Sequence, residues 1–266
     1  MFNFTLFKYS LKENFKTLLI FTAVLSMYFV LVIPMYDPSL GRALQEFTEA
    51  MPQMMSMFGM NAQSTTMIGF LSTYLYGFIM LVFPMVFSIL CANKLVARYV
   101  DNGSMFSLLA APVKRFSVVF TQMKLLATCI FFLTVWATGV GIVSCQISFK
   151  GQLDIPKFIL LNVGLLALQL FIGGVCFLCS CIFNDTKYSI GLGAGIPALS
   201  FIIQMMSNVN DKLDNVKFAS FFTLFNPEKI IEGDNYAILG IVILFIGAIA
   251  LFTSAIIVFC KKDMPV

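Results

Sequence analysis

Six apolar segments, each long enough to cross a lipid bilayer, divide this chain. An α-helix rises about 1.5 Å per residue, so about 20 residues cross the roughly 30 Å hydrocarbon layer. Apolar runs of that length predict membrane-spanning helices. We therefore expect an all-α membrane protein with a single transmembrane domain over 1–266. The predicted spans cover about 17–36, 67–92, 123–147, 158–183, 189–207 and 236–260.

The composition excludes an ordinary soluble domain. Apolar residues make up 59% of the chain and charged residues only 11%, whereas a soluble domain carries about 25% charged residues. The net charge of +4 is not gathered into a basic patch with aromatic side chains, so we expect no nucleic-acid partner. Histidine is absent, which removes the commonest metal ligand and the usual general base.

The charged residues between the spans differ from one side of the membrane to the other. The segments 1–16, 93–124, 184–188 and 261–266 together hold 11 lysines and arginines and 4 acidic residues. The remaining loops hold 6 and 9. Because lysine and arginine accumulate on the cytoplasmic side, this asymmetry predicts six spans with both termini cytoplasmic.

Residues 1–16 predict an amphipathic helix ahead of the first span. Lys8, Lys12 and Lys16 recur every fourth residue and form one stripe. The opposite face is expected to consist of Phe4, Phe7, Leu11 and Phe15. A basic amphipathic helix of this kind lies in the cytoplasmic membrane interface.

The loop 93–124 is too patterned for a plain linker. Asp101 and Asn102 are expected to cap the start of a helix, with Gly103 permitting the turn. A partly apolar run begins at Ser104, and Pro112 ends it because proline disfavours helical geometry in the residue before it. The loop therefore predicts a short helix just below the membrane, whose apolar side requires a partner.

Two apolar stretches fall in the expected outer loops. Five methionines lie between Met51 and Met60, and soft thioethers can bind Cu(I). The alternative is a flexible apolar surface at the membrane edge. The run 216–226 is too short to span, because about 10–14 apolar residues are typical of a re-entrant or interfacial segment.

Two amides lie within the fourth predicted span. Asn162 and Gln169 are seven residues apart and therefore share one helix face. Intramembrane polar groups on one face indicate either the lining of a transport pathway or hydrogen bonds between helices. The sequence leaves both alternatives open.

Motifs of small residues and cysteines occur in the fourth and fifth spans. Gly191-x-x-x-Gly195 permits close approach of another helix. Cys176-x-x-Cys179-x-Cys181 has the spacing of a metal motif, but no second ligand pair lies nearby. The alternative is that these cysteines are small packing residues.

The chain lacks the motifs of an energy-converting enzyme. No phosphate-binding Gly-x-x-x-x-Gly-Lys-Ser/Thr motif is present, and no nucleophile–base pair is recognisable. No carboxylate lies at the centre of a span, where ion-coupled carriers usually place a charge. We therefore expect a chain that is not an enzyme, holds no metal or cofactor, and obtains energy through a partner.

The segment Val100–Arg115 resembles the signature of the ABC-2 type permease family. That family shows an acidic residue, Gly-Ser/Thr, Leu-Leu, a small pair and Pro-Val-x-Arg, then a lysine that enters the third span. Here Asp101 is the acidic residue, where many relatives have glutamate, and Lys124 is the lysine. The resemblance extends over the whole chain, with support from 51–59, Leu224–Gly233 and Lys262-Asp263.

The resemblance implies the membrane subunit of an ATP-binding-cassette transporter in a bacterial plasma membrane. Two permease copies, identical or paralogous, pair with cytoplasmic ATPase subunits that bind ATP and Mg²⁺. Segment 98–113 is then a coupling helix seated on the ATPase, 1–16 is a connecting helix, and 208–235 holds outer re-entrant elements. The residues implied in coupling are Arg98, Asp101, Gly103, Ser104, Met105, Leu108, Leu109, Pro112, Lys114 and Arg115.

The expected function is export of an amphipathic, peptide-like, drug-like or lipid-like solute, because the interior is aromatic and poor in charge. ATP-driven closure of the partners would move 98–113 and shift the first, second and fifth spans between inward- and outward-open states. One alternative is a binding or immunity protein that holds a peptide at the outer face without transport. Another is a copper permease that uses the methionines.

Overall fold

Long helices make up most of the structure, a computed structural model that describes residues 2–36, 51, 66–105, 113–209 and 219–262. No strand occurs among these residues. Short 3-10 turns cover Ile33–Met35 and Phe221–Leu224. The helices are α1 (Phe4–Val32), α2 (Met67–Tyr74), α3 (Ile79–Leu95), α4 (Ala97–Asp101), α5 (Arg115–Ser148), α6 (Ile155–Ile182), α7 (Thr186–Val209), α8 (Pro227–Glu232) and α9 (Asn235–Lys261).

Six helical segments are long and apolar enough to cross a membrane, which confirms the predicted all-α membrane protein with six spans. They contain α1, α3 with α4, α5, α6, α7 and α9. The helices extend past the predicted spans by up to thirteen residues, at the start of α1. Capping groups fix several ends: the Asp154 side chain accepts from the Lys157 N–H before α6, and the Asp234 side chain accepts from the Tyr236 N–H before α9.

The helix α6 is the centre of the bundle. It contacts α3, α5, α7, α8 and α9. Of its most apolar stretch, 72% is buried inside the protein, against 22% for α1 and 28% each for α7 and α9. The outer helices therefore turn most of their apolar surface toward lipid, whereas α6 turns its surface toward protein.

The second predicted span is interrupted. The sequence indicates one helix over 67–92 with a bend at Pro84, but α2 ends at Tyr74 and a turn covers 75–78 before α3. At this break the Met80 N–H donates to the Leu75 carbonyl oxygen at 3.0 Å, five residues back. Pro84 lies inside α3, which continues past it. An apolar run determines burial in the membrane, but it does not reveal a turn within the run.

The N-terminal amphipathic segment is continuous with the first span. The helix α1 runs from Phe4 to Val32 without a break near residue 16. Its start is capped by Asn3, whose side-chain oxygen accepts from the Leu6 N–H at 3.1 Å. No proline, glycine or capping residue lies at 16–17 to end the helix, so the two predicted elements merge.

The apolar face predicted opposite the lysines of 1–16 is not the face that α1 buries. Phe4 is 70% exposed and Phe15 is 54% exposed. At about 100° per residue, these rings stand beside the lysine stripe rather than opposite it. The face of α1 that is buried consists instead of Leu6, Ser10, Asn14 and Leu18, followed by Leu25 and Phe29.

Both described ends of the chain lie at one end of the bundle. The Asn3 N–H donates to Thr121 Oγ1, near the start of α5, at 3.1 Å. Arg115 Nη1, in the first turn of α5, donates to the Lys262 carbonyl oxygen at 3.0 Å. The loop between α4 and α5 therefore leaves the bundle where the chain begins and where its last span ends, as an even number of spans requires.

Candidate functional site

The loop between α3 and α5 begins with the short helix α4. The Asn102 N–H donates to the Arg98 carbonyl and the Gly103 N–H to the Val100 carbonyl, both at 3.1 Å. Gly103 has φ +69°, the left-handed conformation that commonly closes a helix. Asp101 is thus the last residue of α4, and Asn102 follows as its C-cap, where the sequence predicted the start of a helix. Residues 104 and 105 are again helical.

The described residues for which the sequence resemblance implies a coupling role are mostly solvent-accessible. Met105 is an exception, because its side chain is buried in the core at 3% exposure. Leu108, Leu109 and Pro112 lie outside the described residues. The exposed members are Arg98, Asp101, Gly103, Ser104, Lys114 and Arg115. The loop thus places an exposed, polar surface of both charges at this end of the bundle, which we call the loop surface.

Hydrogen bonds connect the loop surface to the spans. Tyr99, next to Arg98 in α4, donates its hydroxyl to Glu13 Oε2 of α1 at 2.7 Å. One turn away, Gln122 Nε2 of α5 donates to Ser10 Oγ of α1 at 3.1 Å, and both side chains are buried. Sequence reasoning missed these residues. The available signal was the spacing of Ser10 and Asn14, two polar residues four apart on what proves to be the buried face.

The ends of α5, α6 and α9 are also joined. Lys262 receives the Arg115 hydrogen bond at its carbonyl, and its own Nζ donates to the Cys181 carbonyl oxygen in the last turn of α6 at 3.1 Å. Burial lowers the pKa of the Lys262 ammonium, an effect that the neighbouring Cys181 partly opposes. The loop surface therefore rests on the ends of three membrane helices.

A cavity of about 450 Å³ lies at the opposite end of the bundle. Its walls come from the break between α2 and α3, the C-terminal part of α7, the segment 222–229 and the start of α9. Aromatic side chains that are almost fully buried form its floor: Tyr76, Phe201, Phe222 and Phe225. Polar side chains line its mouth, among them Gln204, Thr223, Glu228 and Lys229.

The segment 219–232 enters the bundle and builds one wall of this cavity. Its Phe221 ring lies 5.1 Å, centroid to centroid, from the ring of Phe171, which is near the middle of α6. Ser220 Oγ donates to the Ser200 carbonyl at 2.8 Å. These contacts agree with the re-entrant alternative for the described part of 216–226. Residues 216–218 lie outside the described residues.

After Phe225 the chain forms the short helix α8 and leads back to the surface of the bundle, and local sequence features explain both ends of this helix. The Asn226 side chain caps α8 by accepting from the Lys229 N–H at 3.1 Å, and Pro227 occupies the first helical position. Gly233, at φ +80°, ends α8. Glu228 lies at the mouth of the cavity. Burial raises the pKa of its carboxyl group, and the nearby Glu232 raises that pKa further.

Asn162 and Gln169 do not line this cavity. The buried Tyr76 hydroxyl donates to Asn162 Oδ1 at 2.8 Å, and Asn162 Nδ2 donates to the Phe158 carbonyl at 2.8 Å. Gln169 Nε2 donates to the Met80 and Leu81 carbonyls at 3.3 and 3.0 Å. Gln169 therefore links α6 to α3, and Asn162 links α6 to the turn between α2 and α3. Both amides take part in hydrogen bonds within the bundle, one of the two alternatives that the sequence left open.

The sulfur-containing motifs form no recognised metal site in the described residues, where no group of three His, Cys, Asp or Glu side chains could hold an ion. Cys176 Sγ donates to the Gly193 carbonyl at 3.2 Å, so this cysteine packs α6 against α7. Gly191 and Gly195 have no described atom of another element within 4 Å of an added Cβ. Of the methionine cluster, only Met51 is among the described residues.

The fold and the two surfaces define a class: a multi-pass α-helical membrane protein with a polar loop surface at one end and an aromatic-floored cavity at the other. No protein-family model matches the chain, and no curated protein matches it.

Proposed function

We propose that the chain is the membrane subunit of an ABC-2 type ATP-binding-cassette transporter, located in a bacterial plasma membrane. Its partners are cytoplasmic ATPase subunits, which bind ATP and Mg²⁺, and a second permease copy or paralogue. The chain itself is not an enzyme. The cargo is an amphipathic solute, peptide-like, drug-like or lipid-like, that leaves the cell.

The loop surface is the observation that carries this proposal. Arg98, Asp101 and Ser104 are exposed at the end of the bundle where the Val100–Arg115 signature lies. Exposed side chains of both charges at the end of a membrane helix can pair with complementary charges on a soluble partner protein. In the proposed complex, this surface meets the ATPase, and 98–113 is the coupling segment.

The hydrogen bonds of α4 support a route for movement into the membrane. In the proposed cycle, ATP binding moves the coupling segment, and the Tyr99–Glu13 hydrogen bond carries that movement to α1. The Ser10–Gln122 bond extends it to α5. Packed helices have discrete arrangements, so a small displacement at the loop changes which end of the pathway is open.

The cavity at the other end supports an amphipathic cargo. Its aromatic floor offers apolar contact, and its polar mouth offers hydrogen bonds and charge. In the proposed topology, this cavity opens at the outer face, where it would receive cargo late in export. The same observation favours a second candidate function, namely a binding or immunity protein that holds a peptide there without transport.

A pull-down from native membranes in mild detergent tests the proposal. We expect a soluble protein with a Walker A motif, recovered at one copy per permease. Arg98→Glu reverses one exposed charge on the loop surface and should reduce that recovery at least severalfold. Lys157→Glu makes the same charge change at the exposed, opposite end of the bundle and should leave recovery unchanged.

Two results would contradict the ATPase assignment. One is recovery of the chain alone, or with membrane proteins only. The other is equal ATPase recovery from the Arg98→Glu and Lys157→Glu variants, together with peptide resistance that persists after the ATPase is inactivated. That combination would favour the binding protein.

A further inference from the structure

Three lysines of α1 point directly away from the helix bundle. Lys8, Lys12 and Lys16 are exposed and follow one another on one side of the helix. The buried side of the same turns carries Ser10 and Asn14. At about 100° per residue, Lys12 stands roughly 160–200° around the helix from each of them. The lysine stripe, as we call Lys8, Lys12 and Lys16, therefore faces the surroundings of the bundle.

The depth of the lysine stripe coincides with one surface of the bilayer. Lys16 is the last charged residue before the uncharged run 17–36, so it marks the edge of the hydrocarbon layer. Lys12 and Lys8 follow at intervals of roughly 6 Å along the helix axis. The headgroup layer adds roughly 5–8 Å on each side. Lys16 and Lys12 thus lie in that layer, and Lys8 reaches it with its flexible side chain.

No described acidic side chain neutralises the lysine stripe. None of its members forms a salt bridge among the described residues. Glu13, the acidic residue of α1, accepts the Tyr99 hydroxyl instead. Like charges four residues apart on a helix repel each other, and three lysines against the one carboxylate of Glu13 leave α1 with a net positive charge. An anionic partner outside the chain would remove that repulsion.

Aromatic rings accompany the lysines at the same end of the bundle. Phe15 is 54% exposed beside the stripe. On α5, Lys124 Nζ lies 4.9 Å from the centroid of the Phe120 ring and 5.4 Å from that of Phe2. Phe15 precedes Lys16 directly and so lies at the edge of the hydrocarbon layer, where its ring can enter the acyl boundary while the lysine ammonium groups meet the headgroups.

We infer that the lysine stripe binds the phosphate headgroups of anionic phospholipids in the leaflet at this end of the bundle. Each ammonium group has three N–H donors for phosphate oxygens. A negatively charged membrane surface also attracts each lysine near it. The occupant is a lipid rather than a soluble anion, because the stripe lies at the bilayer surface beside exposed rings. This site does not depend on the ATPase proposed above.

Native mass spectrometry of the purified full chain tests this inference. The protein is incubated in detergent with equal amounts of phosphatidylglycerol and phosphatidylcholine, and the bound lipids are counted. We expect a clear preference for phosphatidylglycerol that weakens as ionic strength rises. Lys12→Gln with Lys16→Gln should reduce that preference by about 25-fold, since each lysine near an anionic surface contributes about a fivefold gain.

Two further variants make the result specific. Lys150→Gln with Lys157→Gln removes two exposed lysines at the other end of the bundle and should keep the preference. Lys12→Arg with Lys16→Arg keeps the charge and should also keep it. Inorganic phosphate should not displace the lipid at equal concentration. An unchanged preference in the Lys12 and Lys16 glutamine variant, an equal loss in the Lys150 and Lys157 variant, or displacement by free phosphate would overturn the inference.

Discussion

Gln169 lies where a backbone carbonyl has lost its usual partner. In a helix the Met80 carbonyl would accept from the N–H of residue 84, but Pro84 has none. Gln169 Nε2, from α6, donates to that carbonyl and to its neighbour at Leu81. The Gln169 amide thus replaces the backbone N–H that Pro84 lacks. It also links α3 to α6, the central helix of the bundle.

Gln169→Leu should destabilise the bundle by about 0.5–1.5 kcal/mol, the net value of hydrogen bonds between membrane helices and of buried hydrogen bonds generally. The decisive measurement is a double-mutant cycle of unfolding free energies with Pro84→Ala, which restores a backbone N–H at that position. We expect Gln169→Leu to cost less in the Pro84→Ala background. Equal costs in both backgrounds would mean that the amide does not act through the Met80 carbonyl.

Gly240 fixes how closely α9 can approach the segment 219–232. A Cβ atom at this position would press against the carbonyl oxygen of Leu224, which is backbone and cannot turn aside as a side chain can. Gly240→Ala should therefore cost about 1–3 kcal/mol in thermal unfolding and shift the wall of the cavity. Gly139→Ala is the matched control, because nothing described lies within 4 Å of its Cβ, and it should be close to neutral.

At the scale of elements, a hydroxyl–carboxylate hydrogen bond joins α4 to α1. Tyr99→Phe keeps the ring and removes only the donor to Glu13. In the proposed transporter, we expect this variant to retain the ATPase partner but to lose much of its transport per ATP hydrolysed. Measuring both in proteoliposomes separates coupling from assembly.

Tyr188→Phe provides the control for that experiment. Tyr188 is in the first turn of α7, away from α1 and α4, and its side chain is 65% exposed. Its hydroxyl should make no difference to transport per ATP. If the two variants behaved alike, the Tyr99–Glu13 bond would have no part in coupling.

The elements that sequence predicted well are those determined by hydrophobicity. The last span was expected at 236–260 and α9 covers Asn235–Lys261, because charged residues end the apolar run on both sides. The break at 75–78 was not predictable, since its sequence is as apolar as the helices beside it. The continuity of α1 was also missed, because a change of amphipathicity at residue 16 does not itself end a helix.

For the site residues, the sequence predicts which side chains are exposed but not which residues they bond. Exposure of Arg98, Asp101 and Ser104 follows from their polarity and from Gly103, which ends a helix by local geometry. Local patterns could not identify the partners of Tyr99, Asn162 or Gln169. Each of these bonds joins residues more than 80 positions apart, and the packing of whole helices decides them.

At the scale of the whole molecule, the distribution of charge predicts its orientation. The end that carries Asn3, the loop surface and Lys262 holds most of the lysines and arginines, so we expect it in the cytoplasm. A fluorescent protein fused after Val266 should fluoresce, and alkaline phosphatase fused there should be inactive. Phosphatase inserted at Gly151, in the exposed turn between α5 and α6, should be active.

The reverse pattern of reporter activity would show that the protein has the opposite orientation in the membrane, with the loop surface outside the cell. That result would contradict contact with a cytoplasmic ATPase while leaving the helical fold intact. Activity of phosphatase at both positions would instead indicate an odd number of spans, which the meeting of both chain ends in the structure does not allow.

The burial of the cysteines makes the natural chain suitable for spectroscopic labelling. All seven are free thiols, and six of them are buried, which leaves Cys260 as the most accessible. Cys260 lies in the last turn of α9, two residues before the carbonyl that Arg115 contacts. A thiol-reactive fluorophore should therefore attach there first, without an engineered cysteine. Its emission would follow the surroundings of the loop in real time as nucleotide or lipid is added.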